Sequence, residues 1–335
     1  MATLRFGLVG IGMMGRNHAR VLRSLDGVEL VGVADPAGDR FDLAGSARVF
    51  GSVTELIDHG IDAAVVATPT AYHLSSGLEL AAAGVHTLIE KPLATDAAEC
   101  LQLVDAFESA GLVNAVGHIE RSNPALRAMR ERLEAGELGD IHQVATRRQG
   151  PFPNRIADVG VVKDLATHDI DLTAWVISST YAVVSAQTAH KSGREHEDLI
   201  AITARSTNGI VINHLVNWLS PLKERTTVVT GEKGTLVADT LQGDLYFHAN
   251  GLVATEWEQV STFRGVTEGD SIRYAIPKPE PLRVQHENFR NTIADGSGDI
   301  VTMREGMATV AVADACLVSA REGRSIHLVD PGDRD

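Results

Sequence analysis

The feature that most constrains this chain is a glycine pattern within its first fifteen residues. Gly10-Ile11-Gly12-Met13-Met14-Gly15 is a GxGxxG sequence that follows an apolar run at 4–9 and opens a helical pattern at 16–25. Glycine-rich turns are common, but between a strand and a helix each glycine has its own task. Gly10 permits the tight turn, Gly12 lets backbone N–H groups approach a pyrophosphate, and Gly15 allows close helix–strand packing. The helix N-terminus adds a partial positive charge for the anion. Asp35 stands twenty residues after Gly15, at the end of the next apolar run at 29–34. A carboxylate there accepts from the adenosine ribose hydroxyls and repels a 2′-phosphate. Pro36 follows, with no adjacent arginine to welcome such a phosphate. NAD rather than NADP is the expected cofactor, with Arg40 a candidate to stack on the adenine.

Up to residue 120, short apolar runs alternate with helical patterns. Strands are expected at 4–9, 29–34, 63–67, 86–89 and 113–116, and helices at 16–25, 72–83 and 97–110. Near-continuous apolar strands between helices imply a parallel sheet covered on both faces. Residues 1–120 are therefore expected to form a doubly wound α/β domain of Rossmann type. Residues 121–335 change character. Asn123-Pro124 starts a helix by cap and first-turn proline, ending near 135 before Gly136. A helix at 164–177 precedes alternating segments at 199–205, 210–218, 226–230, 235–238 and 245–248. Asn208-Gly209 is the clearest hairpin turn among them, and Asn250-Gly251 is another. Further helices are expected at 283–294 and 304–320. A run of strands with helices set around it makes an α+β domain.

Several function classes fall away. Formal net charge is −14, and no run of Lys/Arg supplies the basic face that a nucleic acid demands. No apolar stretch nears the ~20 residues needed to span a bilayer. The first strand starts without the charged head, apolar run and cleavage site of a signal peptide, so a cytoplasmic protein is expected. Cys100 and Cys316 lie in apolar, helical stretches and read as buried, inert thiols; neither a disulfide nor a metal site is expected.

Two positions invite chemistry. Glu90-Lys91-Pro92 lies just past a strand of the first domain, at a carboxyl end where ligands of such sheets bind. Pro92 disfavours the helical state for Lys91, leaving the lysine in extended backbone off the sheet edge. In Asp164-Leu165-Ala166-Thr167-His168, helical spacing of four puts Asp164 and His168 on one face. A hydride leaves a carbinol carbon only as the hydroxyl loses its proton, which needs a base and a cation for the developing alkoxide. His168 suits the first role and Lys91 the second, although a neighbouring positive charge would lower the lysine's pKa and let the roles exchange. Asp164 can accept from a nearby substrate hydroxyl.

Gly10–Gly15, Asp35, Ala67-Thr68-Pro69, Glu90-Lys91-Pro92 and Asp164…His168 occur in the order found in the glucose–fructose oxidoreductase / inositol dehydrogenase / MocA family, which nearly the whole chain resembles. The resemblance implies NAD(P)-dependent redox chemistry on sugars or cyclitols. It implies a C-terminal substrate domain with a large open, mainly antiparallel sheet, through which homodimers or homotetramers form. Lys91 and His168 become the catalytic pair and Asp164 a substrate ligand, while Ala67, Thr68, Pro69, His73, Glu90 and Lys91 line the cofactor. Two segments, Gly117-His118-Ile119-Glu120-Arg121-Ser122-Asn123-Pro124 and Gly150-Pro151-Phe152-Pro153-Asn154-Arg155, are similar to the UDP-N-acetylglucosamine 3-dehydrogenase branch. On that likeness Arg121, Arg148 and Arg155 supply forked donors to a diphosphate, and Asn123 joins the substrate site. The chain departs from the pattern in having no glycine between Asp164 and His168, and in Lys163 beside the aspartate. The substrate expected is a nucleotide sugar, with myo-inositol or a free sugar as the alternative. An NAD-dependent glycosidase is the alternative of another class. A dinucleotide-sensing regulator would lack Lys91 or His168, and both are present.

Overall fold

The computed structural model describes residues 3–40, 42–153, 159–251 and 268–328. The chain divides into two compact units, Met1–Ile119 with Pro279–Asp314, and Glu120–Lys278 with Ala315–Asp335.

In the first unit six parallel strands are β1 (Leu4–Val9), β2 (Val28–Ala34), β3 (Arg48–Phe50), β4 (Ala63–Val66), β5 (His86–Ile89) and β6 (Asn114–Val116). Their order, β3-β2-β1-β4-β5-β6, reverses between β1 and β4. Helices α1 (Met13–Leu22), α2 (Val53–Asp58), α3 (His73–Ala82) and α4 (Ala97–Ser109) follow β1, β3, β4 and β5. Side chains alternate between the faces, as strand geometry requires. Phe6 and Leu8 join Ala19 and Leu22 of α1 on one face, whereas Val9, Val66 and Ile89 join Leu80, Leu103 and Phe107 on the other. β3 and α2 are too short for their patterns to be read from sequence.

Residues 279–314, assigned by sequence to the second domain, return to the first unit. There α7 (Pro281–Asp295) brings Phe289, fully buried, edge-on to Phe6 with ring centroids 5.9 Å apart. Val301 accepts a hydrogen bond from the Val116 N–H at 2.8 Å. Met303, Met307 and Val310 of α8 (Met303–Glu322) complete the core on the other face. An amphipathic pattern tells that one helical face is buried, not which sheet buries it.

The second unit is built on nine strands. These are β7 (Ile141–Pro151), β8 (Tyr181–Ala189), β9 (Leu199–Ser206), β10 (Val211–Asn217), β11 (Leu219–Gly231), β12 (Gly234–Asp239), β13 (Asp244–Asn250), β14 (Glu268–Arg273) and β15 (Ile326–His327). Their order is β14-β13-β12-β11-β7-β10-β9-β8-β15, antiparallel throughout except where β7 and β10 run parallel. Asn208-Gly209 turns β9 into β10 as expected, with Gly209 at φ +90°. The alternating burial along β9 leaves one side of each pleat exposed. Helices α5 (Pro124–Glu134) and α6 (Thr167–Val176) pack against the sheet. Asn123 caps α5, its side chain accepting from the Ala125 N–H. Among the described residues no helix is long and apolar enough to cross a membrane. Cys100 and Cys316 are buried free thiols, and burial pushes Cys316 up to about 12.

Candidate active site

In the first unit the glycine loop leaves β1 at the point where the strand order reverses. Gly10 has φ +87°, and a Cβ there would press on the Ala67 carbonyl and the Thr68 methyl, so the loops after β1 and β4 touch. A Cβ on Gly15 would collide with the Gly10 carbonyl. Gly12 is different. Its φ of −69° suits any residue, and nothing lies within 4 Å of the Cβ position. Neither backbone nor packing requires glycine there, and the space beside the helix start is open. Gly12 is also the N-cap of α1, with no side-chain cap and no acidic residue in the first turn. Free N–H groups of an uncapped helix start around open space are what a pyrophosphate needs.

Asp35 is fixed beside this loop. Its Oδ2 accepts from the Ile11 N–H at 3.0 Å and its Oδ1 from the Ala37 N–H at 2.8 Å. Ile11 is buried and Met13 exposed, so the loop contributes backbone rather than a uniform set of side chains. Arg40 is exposed, with Nε 3.4 Å from the Ala37 carbonyl. Thr68 Oγ1 is buried and finds no hydrogen-bond partner among the described residues, a polar atom left for a ligand. These residues fit NAD: the helix start for its phosphates and Asp35 for the ribose.

Beyond β5 the chain turns at Glu90-Lys91-Pro92, with the Lys91–Pro92 peptide cis. Glu90, expected among the cofactor-binding residues, is buried. Oε1 accepts from His18 Nε2 at 2.9 Å and Oε2 from the Lys91 N–H at 3.2 Å. Burial pushes its carboxyl up, yet the His18 hydrogen bond and the charges of His18, Lys91 and His73 bring it below the ordinary value. His73, expected against the nicotinamide, is buried as well. Its Nδ1 meets the carbonyls of Pro92 (3.0 Å) and Leu93 (3.3 Å), and its Nε2 meets that of Thr68 (3.0 Å). Burial lowers its pKa despite these bonds. His73 thus pins the Lys91 loop to the Thr68 loop.

In the second unit Asp164 lies on a π-helical turn, Val162–Ala166, that runs straight into α6 rather than on the α-helix expected. Such turns concentrate at functional sites. Glu197 supports it: its carboxylate accepts from the Val162 N–H at 3.1 Å and fills the place a Cβ on Gly160 would need. Asp164 is buried and His168 half-buried. The two other carboxylates of α6 are matched by arginines. Arg121 forks onto Asp171, with contacts of 2.6–3.2 Å. Arg148 donates to Asp169 at 2.6 Å and to Glu120 at 2.7 Å. Burial alone would lower Arg148, but these two carboxylates hold it above its ordinary value.

These pairs correct the expected diphosphate ligands. Arg148 is only 4% exposed and spent on two carboxylates, and Arg121 is spent on Asp171. Asn123 is likewise a structural cap, its amide donating to the Thr240 carbonyl at 3.0 Å. Arg155 lies outside the described residues. Sequence reasoning missed His18, His286 and Arg225. His18 falls on the buried face of α1, three residues past Gly15, which is its only local signal.

Comparison with known proteins agrees with this geometry. Residues 4–118 match the model described as oxidoreductase family, NAD-binding Rossmann fold, and residues 126–237 match the GFO/IDH/MocA C-terminal domain. UDP-N-acetylglucosamine 3-dehydrogenase from Acidithiobacillus ferrooxidans is 29% identical over 88% of this chain and 90% of its own. Its solved structure superposes with a TM-score of 0.83 at 26% identity, covering 96% of this chain and 99% of that one. Inositol 2-dehydrogenase 2 from Saccharopolyspora erythraea is 28% identical over 96% of this chain and 94% of its own. The WlbA dehydrogenase from Bordetella pertussis, solved with NADH and UDP-GlcNAcA, superposes with a TM-score of 0.81 at 26% identity over 98% of each chain.

Proposed function

The chain belongs to the GFO/IDH/MocA family of NAD-binding oxidoreductases, and from that premise we propose that it oxidises a secondary alcohol of a nucleotide sugar, at C3 of the ring, to the ketone. Bound NAD supplies the hydride acceptor. His168 takes the hydroxyl proton, a role that imidazole fills near neutral pH. Lys91 provides the positive charge that stabilises the developing alkoxide. Asp164 accepts a hydrogen bond from a neighbouring ring hydroxyl and orients the sugar. One observation supports the role of Lys91 within the first unit: Gly10 leaves no room for a Cβ beside Thr68, and Thr68 is joined through His73 to Pro92, so the Lys91 loop is tied to the cofactor loop.

The test is NADH absorbance on mixing the protein and NAD with UDP-N-acetylglucosamine, its uronic acid, UDP-glucose, myo-inositol and free hexoses. A rise with UDP-sugars alone supports the reading. A rise with inositol or hexoses alone keeps the chemistry and replaces the substrate. Release of a leaving group without net NADH would move the chain to the glycosidase class. The second reading, a cyclitol or free-sugar dehydrogenase, is favoured by the engagement of Arg121 and Arg148 in ion pairs, which removes two expected diphosphate ligands.

A further inference from the structure

We propose that Arg225 binds a negatively charged group carried by the substrate, a phosphate ester or a ring carboxylate; this rests on the sugar-dehydrogenase reading above. Arg225 stands in β11 directly opposite Arg148 of β7 in the antiparallel register. Like charges at directly opposed positions destabilise a strand pair, so this pair needs compensation. Arg148 has it, from Asp169 and Glu120. Arg225 has no such direct pairing: one guanidinium nitrogen donates to the main-chain oxygens of Gln149 and Glu224, each at 3.1 Å. Among the described residues no carboxylate accepts a hydrogen bond from it, so Asp169, Glu120 and Asp164 act on it only through their fields.

The position is built rather than incidental. The β11–β7 register is irregular between Leu219 and Glu224 and resumes just before Arg225, and irregularities of this kind re-aim side chains beside binding sites. The Arg225 carbonyl accepts from the Thr240 N–H at 2.9 Å, which fixes the backbone. The adjacent Glu224 carboxylate is already taken by the Gln149 amide at 2.8 Å and by Arg147 at 3.7 Å.

The electrostatics agree. Burial, and then the charge of Arg148, push Arg225 down to about 10, and Asp169, Glu120 and Asp164 oppose this only in part. A cation so disfavoured gains more than an ordinary surface arginine from an anion placed beside it, because a fork matches carboxylate and phosphate geometry. The field of Asp164 reaches Arg225. The anion is accordingly placed on the same sugar whose hydroxyl Asp164 is proposed to orient.

The test uses NAD-saturated protein, wild type against Arg225→Gln and Arg225→Lys. Calorimetric titrations with UDP-N-acetylglucosamine, UDP, glucuronate and myo-inositol run beside KM and kcat for every compound that yields NADH. Loss of one charge-assisted contact predicts that Arg225→Gln weakens the anionic probes roughly tenfold to a hundredfold. Myo-inositol and NAD binding should stay unchanged, and Arg225→Lys should recover part of the loss. Weakening confined to UDP and the UDP-sugar identifies a phosphate, and weakening confined to glucuronate a carboxylate. Equal affinity and KM for anionic compounds in wild type and Arg225→Gln overturn the proposal. So does an equal loss for inositol and the anions, or an absence of anion binding to the wild type. If Arg225→Gln fails to fold, Arg225→Lys decides: raised KM for anions with normal NAD binding supports the role, and unchanged KM refutes it. Anion binding lost in the variant while no sugar reduces NAD would leave Arg225 as an anion ligand and sink the dehydrogenase reading instead.

Discussion

His18 and Glu90, 72 residues apart, form a buried pair with Nε2 2.9 Å from Oε1, and the other imidazole nitrogen of His18 lies 2.8 Å from Nε2 of His286. One arrangement fits both contacts: His18 donates from Nε2 to the carboxylate and accepts at Nδ1 from His286, whose own buried Nδ1 finds no partner among the described residues. The carboxylate behind Lys91 is thus held by an imidazole from α1, and that imidazole by another from α7.

Removing His18 leaves Glu90 buried without its main partner. His18→Ala is expected to destabilise the protein by about 3 kcal/mol, the cost typical of breaking a buried pair. Thermal or urea denaturation reads this directly. A loss under about 0.5 kcal/mol, the size of an ordinary surface substitution, would show that Glu90 is satisfied some other way.

The glycines of the first loop should separate by readout. Gly15→Ala forces a side chain onto the Gly10 carbonyl, so stability should fall by about 1–3 kcal/mol or more, as overpacking does. Gly12→Ala meets nothing in the protein. Its melting temperature should stay near wild type while NAD affinity falls roughly tenfold or more, because the methyl occupies the path of the pyrophosphate. Unchanged NAD binding in Gly12→Ala would place the phosphates elsewhere.

His214 gives a pH prediction with a definite sign. It is buried between Thr146 Oγ1 (2.7 Å) and the Tyr181 hydroxyl (2.8 Å), and burial, then Arg148, hold it down at about 3. Between that value and the unfolded histidine value of about 6.5, the unfolded chain binds a proton that the native state refuses. Stability should therefore rise with pH through this window and level off above it. Comparing wild type with His214→Gln between pH 5 and 7 isolates the effect, and the variant should show the shallower slope. Equal slopes would mean His214 takes no part.

His168→Ala should lower kcat by at least ~10²-fold, the contribution expected of a positioned base. NAD affinity should remain near normal. Rapid-mixing kinetics and a cofactor titration measure both. Full turnover in the variant would remove His168 from the proton transfer.

What could be read from sequence was what local chemistry dictates. The GxGxxG loop, Asp35, the Asn208-Gly209 hairpin and the Asn123-Pro124 helix start each follow from a few adjacent residues. The fates of Arg121 and Arg148 did not, because Asp171 and Asp169 lie 50 and 21 residues away and meet them only when α6 packs on the sheet. β7 and β8 escaped notice for a related reason. β7 pairs parallel with one neighbour and antiparallel with the other, and no turn in its own sequence announces either. The π-helical turn at Asp164 depends on Glu197 and Gly160 together, which spacing rules for an α-helix cannot anticipate.

The return of residues 279–314 to the first unit also sets an order of events during synthesis. When the first 119 residues leave the ribosome, Phe6 lacks Phe289, Val116 lacks Val301, and the face lined by Ile89 and Phe107 lacks Met303 and Val310. That nascent sheet carries bare apolar surface while roughly 160 further residues emerge, and at the usual elongation rate of about 5–20 residues per second the wait is on the order of ten seconds or more. The contiguous stretch from Glu120 to Lys278 has no such debt to a distant segment beyond the short Ala315–Asp335 tail. A chain led by its N-terminal domain in sequence is thus one whose middle can settle first, and chaperone demand should concentrate on the exposed sheet until the last helices close it.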